Sequence, residues 1–312
     1  MDLDLSDDQI ALRDGIASML AARVPIERVR AGFDRPLFDR LAEAGVFSLR
    51  ADGFSWADCV VVFEQLGRYC VPGPLVPSLL LGDGRIAGLA HDAPPIWIEH
   101  LDALDVLLVG RGGRMQSVDP RTVDARRSPW PLDPCTPVAR AERLPAGTPI
   151  DLEADVDVDQ WNLAGTALTA AFSLGLADRL TELAVAYATE RVQFDRPIGS
   201  FQAIKHLLAD MLTRTEVARA SVYSAGAVLD EAAGVSTTNR LVRGAKVVAG
   251  DAAIANGKVA TQVFGGMGFT WEVDVHLYLK RAWVLDTHFE SADRNAELVC
   301  ATAGAPRDRA VS

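Results

Sequence analysis

The chain has 312 residues, 49% of them hydrophobic and 23% charged, a globular composition with enough length to bury a core in one or two domains. Asp and Glu number 42 against 31 Lys and Arg, a net charge of −11. Each phosphate contact needs a local cation, so an acidic chain is a poor partner for nucleic acid or an anionic membrane, and neither is expected.

The first eight residues, Met1 to Asp8, are acidic and have neither the basic nor the apolar region of a secretory signal. The uncharged stretch from Ala164 to Ala177 is too short, and too rich in Gly, Thr and Ser, for a membrane span. A cytoplasmic protein is expected. Cys59, Cys70, Cys135 and Cys300 are scattered with no C-x-x-C pair, which favours buried free thiols over disulfides or zinc.

Ser6 and Gln9 have the spacing of a capping box, and Ile10, Leu12, Ile16, Met19 and Leu20 trace a helical stripe behind it. A second helix is expected from about Pro36 to Gly45, and a third, capped by Ser55, from Trp56 to Gly67. Pro72, Pro74 and Pro77 close this N-terminal helical domain, taken as residues 1–84. From 85 to 158 the pattern is a small, proline-rich β insert, with strand-like runs at Ile96–Glu99, Asp105–Val109 and Met115–Val118. Gly110-Arg-Gly-Gly113 follows a strand but lacks G-x-G-x-x-G spacing and precedes another strand, so a hairpin turn is expected there and not a phosphate loop. Residues 159–312 read as a bundle of four long helices: Trp161–Glu190, Gln202–Ala233, Asn239–Phe264, and His276–Thr302 with a break near 287–291. The fold class is therefore mainly α.

Two segments depart from generic bundle sequence. Arg191-Val-Gln-Phe-Asp-Arg-Pro-Ile-Gly-Ser-Phe-Gln202 puts an arginine fork, an aromatic ring and a fresh helix N-terminus together, which suits an anion with an attached ring. An inter-helix loop whose arginine caps the preceding carbonyls satisfies the same residues. Gln262-Val-Phe-Gly-Gly-Met-Gly-Phe269 has three glycines in four positions, where a plain helix stop needs one. A backbone approached closely by a ligand, or by packed protein, accounts for the other two.

Together these segments resemble the acyl-CoA dehydrogenase family, whose C-terminal domain has an "ER-x-Q/T-F-G-x-P-I-x-x-F-Q" loop and a "Q-x-x-G-G-x-G-Y/F" turn at this separation. Phe63-Glu-Gln-Leu-Gly-Arg68 likewise resembles that family's "E-E-L-G-R" helix. The resemblance implies a helical N-terminal domain, a central β-domain and a C-terminal four-helix bundle around FAD. It also implies a carboxylate that removes the α-proton of an acyl-CoA while the β-hydrogen leaves as hydride. Carried over residue by residue, it gives Arg191 the FAD pyrophosphate and Phe194 a place near adenine. Gln193 and Gln202 hydrogen-bond along the dinucleotide, and Gln262, Gly265 and Gly266 let the opposing backbone approach. The base lies in a "Y-E-G-T-x-Q" turn, which His288-Phe-Glu-Ser-Ala-Asp-Arg294 resembles, so that Glu290 takes that role. The other base position used in the family falls on Gly165. A solvated glutamate near a helix N-terminus explains Glu290 equally well.

The departures from the family are one-sided. The β-domain is cut to about 70 residues, without the "T-E-P-x-x-G-S-D" loop and "W-I-T/S" strand that shield the flavin. Ala292 and Arg294 replace a Thr and a Gln that contact flavin, Leu277 and Arg281 replace a basic residue and an Asp, and Asp195 replaces a Gly. Groups that serve a neighbour's dinucleotide are kept. This pattern is similar to the short subunit of the heterotetrameric (α2β2) acyl-CoA dehydrogenases that act on steroid-derived CoA thioesters. The resemblance implies a full-length partner subunit, one FAD shared by each long–short pair, an acyl-CoA substrate and electron-transfer flavoprotein as acceptor. A self-sufficient homomeric dehydrogenase with Glu290 as base and a non-catalytic scaffold are the alternatives. His288-x-Glu290 has no P-C-x-x-C to complete a deaminase zinc site, so no metal is expected, and His91, His100, His206 and His276 read as structural or exposed.

Overall fold

Helix α1 (Asp7–Arg23) opens with the expected capping box: the Ser6 amide donates to Gln9 Oε1 at 3.1 Å and the Gln9 amide to Ser6 Oγ at 3.2 Å. The computed structural model describes residues 3–150, 158–231 and 233–302. A short α2 (Ile26–Arg30) leads to α3 (Arg35–Glu43), where the Asp34 carboxylate accepts from the Leu37 amide and Pro36 sits in the first turn, as its lack of an N–H allows. Helix α4 (Trp56–Arg68) follows Ser55 directly, and a distant residue also serves its first amides. The free amides of Trp56 and Ala57 donate to the two carboxylate oxygens of Asp230, 174 and 173 residues away, at 2.8 and 2.9 Å.

The prolines after α4 do not end the helical segment. They start another helix, α5 (Leu75–Leu81), with Pro74 at the N-cap and Pro77 in the first turn, where the missing N–H breaks no hydrogen bond. The insert then forms two sheets. In the first, β1 (Ala87–His91) runs parallel to β3 (Val106–Arg111), which pairs antiparallel with β4 (Arg114–Val118), and that strand with β7 (Thr148–Pro149). In the second, β6 (Val138–Ala141) lies between β2 (Ile96–Glu99) and β5 (Ala125–Arg127). The first four residues of β3 are buried on both faces, which explains its unbroken Val-Leu-Leu-Val run. Arg111 pairs with Arg114 across Gly112 and Gly113, at φ +56° and +74°, so the glycine segment is a tight hairpin and not a phosphate loop.

The bundle consists of α6 (Val158–Glu190), α7 (Gln202–Asp230), α8 (Val235–Phe264), α9 (Val275–Asp286) and α10 (Ala292–Thr302), with α8 packed on α7, α9 and α10. The expected break in the last helix is present. Helix α8 starts four residues earlier than the apolar stripe suggests, capped at Gly234. The described residues form two compact units: one built from residues up to 22, 56–71 and 166 onward, the other from 23–55 and 72–165. Cys59, Cys70 and Cys135 are buried free thiols, whereas Cys300, in the last turn of α10, is exposed.

Within the first unit, the Phe63–Arg68 segment docks α4 on the bundle. A Cβ on Gly67 would sit 2.0 Å from the Phe172 carbonyl oxygen, and one on Gly175 would sit 2.0 Å from that of Glu64. Glu64, 2% exposed, accepts from the Arg219 guanidinium and, at 2.7 Å, from the Tyr223 hydroxyl. Burial, reinforced by the Glu64 carboxylate, pushes the Tyr223 phenol upward. Arg68 bridges Asp178 and Glu182, and Arg219 also reaches Asp178. Gly67→Ala and Gly175→Ala each force two helix backbones apart, so each is expected to cost at least about 1–3 kcal/mol by denaturant titration. Gly244→Ala, at a helical glycine with no heavy atom within 4 Å of an added Cβ, is the control and is expected to be neutral or slightly stabilising.

Candidate functional site

Helix α6 ends at Glu190 and the chain turns through a two-residue ribbon, β8 (Val192–Gln193) against β9 (Arg196–Pro197). The Arg191 amide closes the last helical turn on the Tyr187 carbonyl at 2.8 Å, and its carbonyl accepts from the Ile198 amide at 2.8 Å. The guanidinium, not the backbone, therefore faces water. At the ribbon tip Phe194 and Asp195 are both left-handed, with φ of 53° and 61°. This is the tight-hairpin geometry that a glycine would fill more cheaply; aspartate tolerates it, and the phenylalanine holds it at a cost of about 1–2 kcal/mol. The Phe194 ring is 85% exposed, touching Phe201 edge-on at 6.1 Å between centroids, while the Arg196 guanidinium lies 4.1 Å above the Phe201 ring. Gln193 donates to the Val192 carbonyl at 2.9 Å, and Gln202, in the first turn of α7, faces His206 at 3.3 Å.

The second motif ends α8. Gln262, Gly265 and Gly266 are exposed, with no heavy atom within 4 Å of an added Cβ on either glycine. Gly265, at φ 63° and ψ −141°, occupies backbone space open essentially to glycine alone. Gly268 has a different duty: a Cβ there would lie 2.6 Å from the Thr261 carbonyl oxygen. One contact joins the two motifs. Tyr187, one turn before Arg191, stacks on Phe264 at 4.1 Å and 15°, and its hydroxyl reaches Met267 Sδ at 3.9 Å. Arg191, Gln193, Phe194, Gln202, Gln262, Gly265 and Gly266 thus share one end of the bundle, all exposed.

Glu290 does not join them. Lys246, on α8, donates to the carbonyls of Leu285 and Asp286 at 3.0 and 3.2 Å and so closes the end of α9. Residues 246 and 264 are 18 apart on one helix, about 27 Å at 1.5 Å per residue. The Glu290 turn therefore sits near the opposite end of α8 from the glycine turn. Phe289 and Glu290 are again two consecutive left-handed residues, at φ 49° and 72°. Phe289 is buried and Glu290 exposed, so the chain's own residues do not supply the partial burial expected of a proton-abstracting carboxylate. The turn is held from below by Asn295, which sequence reasoning missed. Its Nδ2 faces the carbonyls of Phe289, Glu290 and Ser291 at 3.3, 3.1 and 3.1 Å, and its Oδ1 accepts from Arg243 Nη1 at 2.9 Å. Among the described residues no group of His, Cys, Asp or Glu is placed to hold a metal ion.

The acyl-CoA dehydrogenase C-terminal domain model matches residues 157–287. Acyl-CoA dehydrogenase IpdE2 of Mycolicibacterium smegmatis is 33% identical, the match spanning 89% of this chain and 93% of that one. The chain belongs to the acyl-CoA dehydrogenase family. Its fold is that of solved members: the ChsE4–ChsE5 complex from Mycobacterium tuberculosis matches with a TM-score of 0.79 at 21% identity, over 98% of this chain and 100% of that one. The Tcur3481–Tcur3483 steroid ACAD variant matches at 0.80 and 19% identity, over 95% and 97%. The family is one of FAD-dependent oxidoreductases, and among the described residues no helix of this member is long and apolar enough to cross a membrane.

Burial lowers the Lys246 ammonium to about 8 from 10.5, with Asp286 acting in the other direction. The folded state gives up this proton before the unfolded state does, so the unfolded state binds more protons between about pH 8 and 10.5. Stability from this group therefore rises with pH across that window, by at most about 1.4 kcal/mol per pH unit. The neutral amine keeps both donor hydrogens for the two carbonyls. Urea midpoints at pH 7.5, 8.5 and 9.5 are expected to show the rising contribution, and Lys246→Met to remove it.

Proposed function

We propose that this chain is the subunit of a hetero-oligomeric acyl-CoA dehydrogenase that completes the FAD site of a full-length partner. One observation supports the reading above others: the seven residues of the two loops are gathered at one bundle end, and all turn outward. The open face over Gly265 and Gly266 fits a ligand backbone at contact distance, and Arg191 fits the pyrophosphate of the dinucleotide. Gln193, Gln202 and Gln262 supply donors and acceptors along it. Phe194, left-handed at the ribbon tip with its ring exposed, covers the adenine end. The residues present therefore fit the adenosine–pyrophosphate half of FAD. The flavin half belongs to the partner, because the shielding loop and strand are missing from this insert.

When bound, FAD supplies the hydride acceptor for α,β-dehydrogenation of a CoA thioester. The α C–H bond breaks with its proton passing to a carboxylate, and its electron pair forms the new double bond as the β-hydrogen departs with its own pair. A steroid-derived acyl group, an α2β2 assembly built through the bundle helices and electron-transfer flavoprotein as acceptor complete the proposal. The likeness to a steroid ACAD and to a complex of two chains supports the first two. Glu290 is exposed and lies near the other end of α8 from the two loops, which favours the partner as the source of the base for this FAD.

Expressed alone, the chain is expected to be colourless, and co-expressed with its full-length partner to give a yellow complex with one FAD per pair. Arg191→Ala removes a charge-assisted contact and is expected to weaken FAD retention about 10- to 100-fold, read as flavin absorbance per protein after dialysis. A yellow, active homomer contradicts the proposal. Unchanged flavin content in the Arg191 variant leaves the chain a scaffold.

A further inference from the structure

At the loop end of the bundle, Phe194 is the one exposed apolar side chain to which the dinucleotide gives a task. Val192 on the ribbon and, beyond the glycine turn, Phe269 and Trp271 are left over, with 81% of the phenylalanine and 57% of the tryptophan open to solvent. Large aromatic side chains are mostly covered in a lone chain, and two that stand out within three positions mark a contact surface more than scattered exposure. The backbone that bears both rings is fixed. Thr270, between them, donates to the Met267 carbonyl through its amide at 2.8 Å and its hydroxyl at 2.9 Å. The same hydroxyl accepts from the Glu272 amide at 3.3 Å. Met267 also meets Tyr187 through its sulfur, which ties this turn to the helix end that carries the arginine loop. The indole itself is held by α9: the His276 ring lies edge-on to it at 5.0 Å, and the Lys280 ammonium is 5.3 Å from its centre. A side chain fixed before contact loses little freedom on binding, which is what an interface anchor needs.

We infer that Phe269 and Trp271 are anchors by which this chain docks on the protein surface of the full-length subunit, separately from its grip on the nucleotide. The inference rests on the reading of the two loops as half of a shared FAD site, and continuity with that site selects the occupant. Phe269 follows Gly266 by three residues of a 3-10 segment, about 6 Å at 2 Å per residue. A subunit that presses a pyrophosphate against Gly265 and Gly266 therefore has its own surface within reach of both rings. Arg191, the glycines and Phe194 already account for the adenosine–pyrophosphate half of one FAD, which leaves these rings to protein. The surface they fit is apolar, because aromatic anchors at the centre of an interface act by filling dry pockets.

The test uses the complex co-purified with the full-length subunit, stripped of FAD and followed by sedimentation velocity over a dilution series. Trp271→Ala and Phe269→Ala are each expected to raise the concentration at which the subunits separate about 10- to 100-fold, and Trp271→Phe to recover part of the loss. Both side chains are exposed, so circular dichroism of each variant is expected to match the wild type. FAD added back at saturating subunit concentration is expected to bind the two alanine variants at one per pair. Arg191→Ala is expected to behave oppositely, separating at the wild-type concentration but losing flavin. Wild-type separation in the double variant Phe269→Ala/Trp271→Ala overturns the docking role and leaves the FAD reading in place. Variants that stay assembled but lose flavin overturn it too, since the rings then serve the nucleotide. So does a homomer of this chain that the substitutions dissolve while the mixed complex persists. A wild-type chain that forms no complex with a full-length subunit overturns the reading on which the inference rests.

Discussion

The stacking of Tyr187 on Phe264 is the contact on which the candidate site depends. Helices α6 and α8 run in the same direction with α7 returning between them, so their C-terminal ends meet. The ring pair fixes how they meet. Everything exposed at that end hangs from these two helix termini, the arginine loop within four residues of Tyr187 and the glycine turn immediately after Phe264. Offset aromatic stacking is modest in energy, about 0.5–1.5 kcal/mol beyond burial, but it is directional, and direction is what two loops on separate helices need in order to form one surface.

The rest of the first unit keeps those helices in register. The crossing of α4 and α6 brings backbone to backbone at Gly67 and Gly175, and the Glu64–Arg219–Tyr223 cluster ties the same region to α7. At the bundle centre, Asn256 from α8 has its Nδ2 near the carbonyls of Ala177 and Met211 and the hydroxyls of Thr181 and Thr215, joining three helices through one buried amide. A buried polar group left unsatisfied is costly, so such a cluster tolerates one register and penalises others. A rigid bundle with two outward-facing loops is suited to gripping a ligand seated in another chain.

The parts legible in the sequence were those with local causes. The Ser6–Gln9 box, the long apolar stripes, the break before α10 and the hairpin at Gly112–Gly113 each depend on residues a few positions apart, and each appears as expected. What was missed was non-local or hidden in position within a turn. The parallel pairing of β1 with β3 and the strand at Val138–Ala141 have no signal within their own segments. A contact on the first amides of α4 arrives from Asp230, and Pro74 and Pro77 begin a helix because each falls where no N–H is needed. In the candidate site, the two motif segments were visible by residue type, and Tyr187 only as one more apolar position. Asn295 was missed because a polar residue among Asp293, Arg294 and Glu297 at the start of an amphipathic helix reads as surface; its burial comes from a turn whose two left-handed residues bear no glycine to announce them.

The central claim is that this chain grips the phosphate end of a dinucleotide held mainly by a second chain. A cryo-electron-microscopy map of the co-purified complex with FAD tests it most directly. The account predicts density for the pyrophosphate against Arg191 and the backbone of Gly265 and Gly266, with the Phe194 ring over the adenine and the isoalloxazine inside the partner. A map in which Arg191, Phe194 and Gln262 face solvent, or press against protein with no space for a nucleotide, contradicts it.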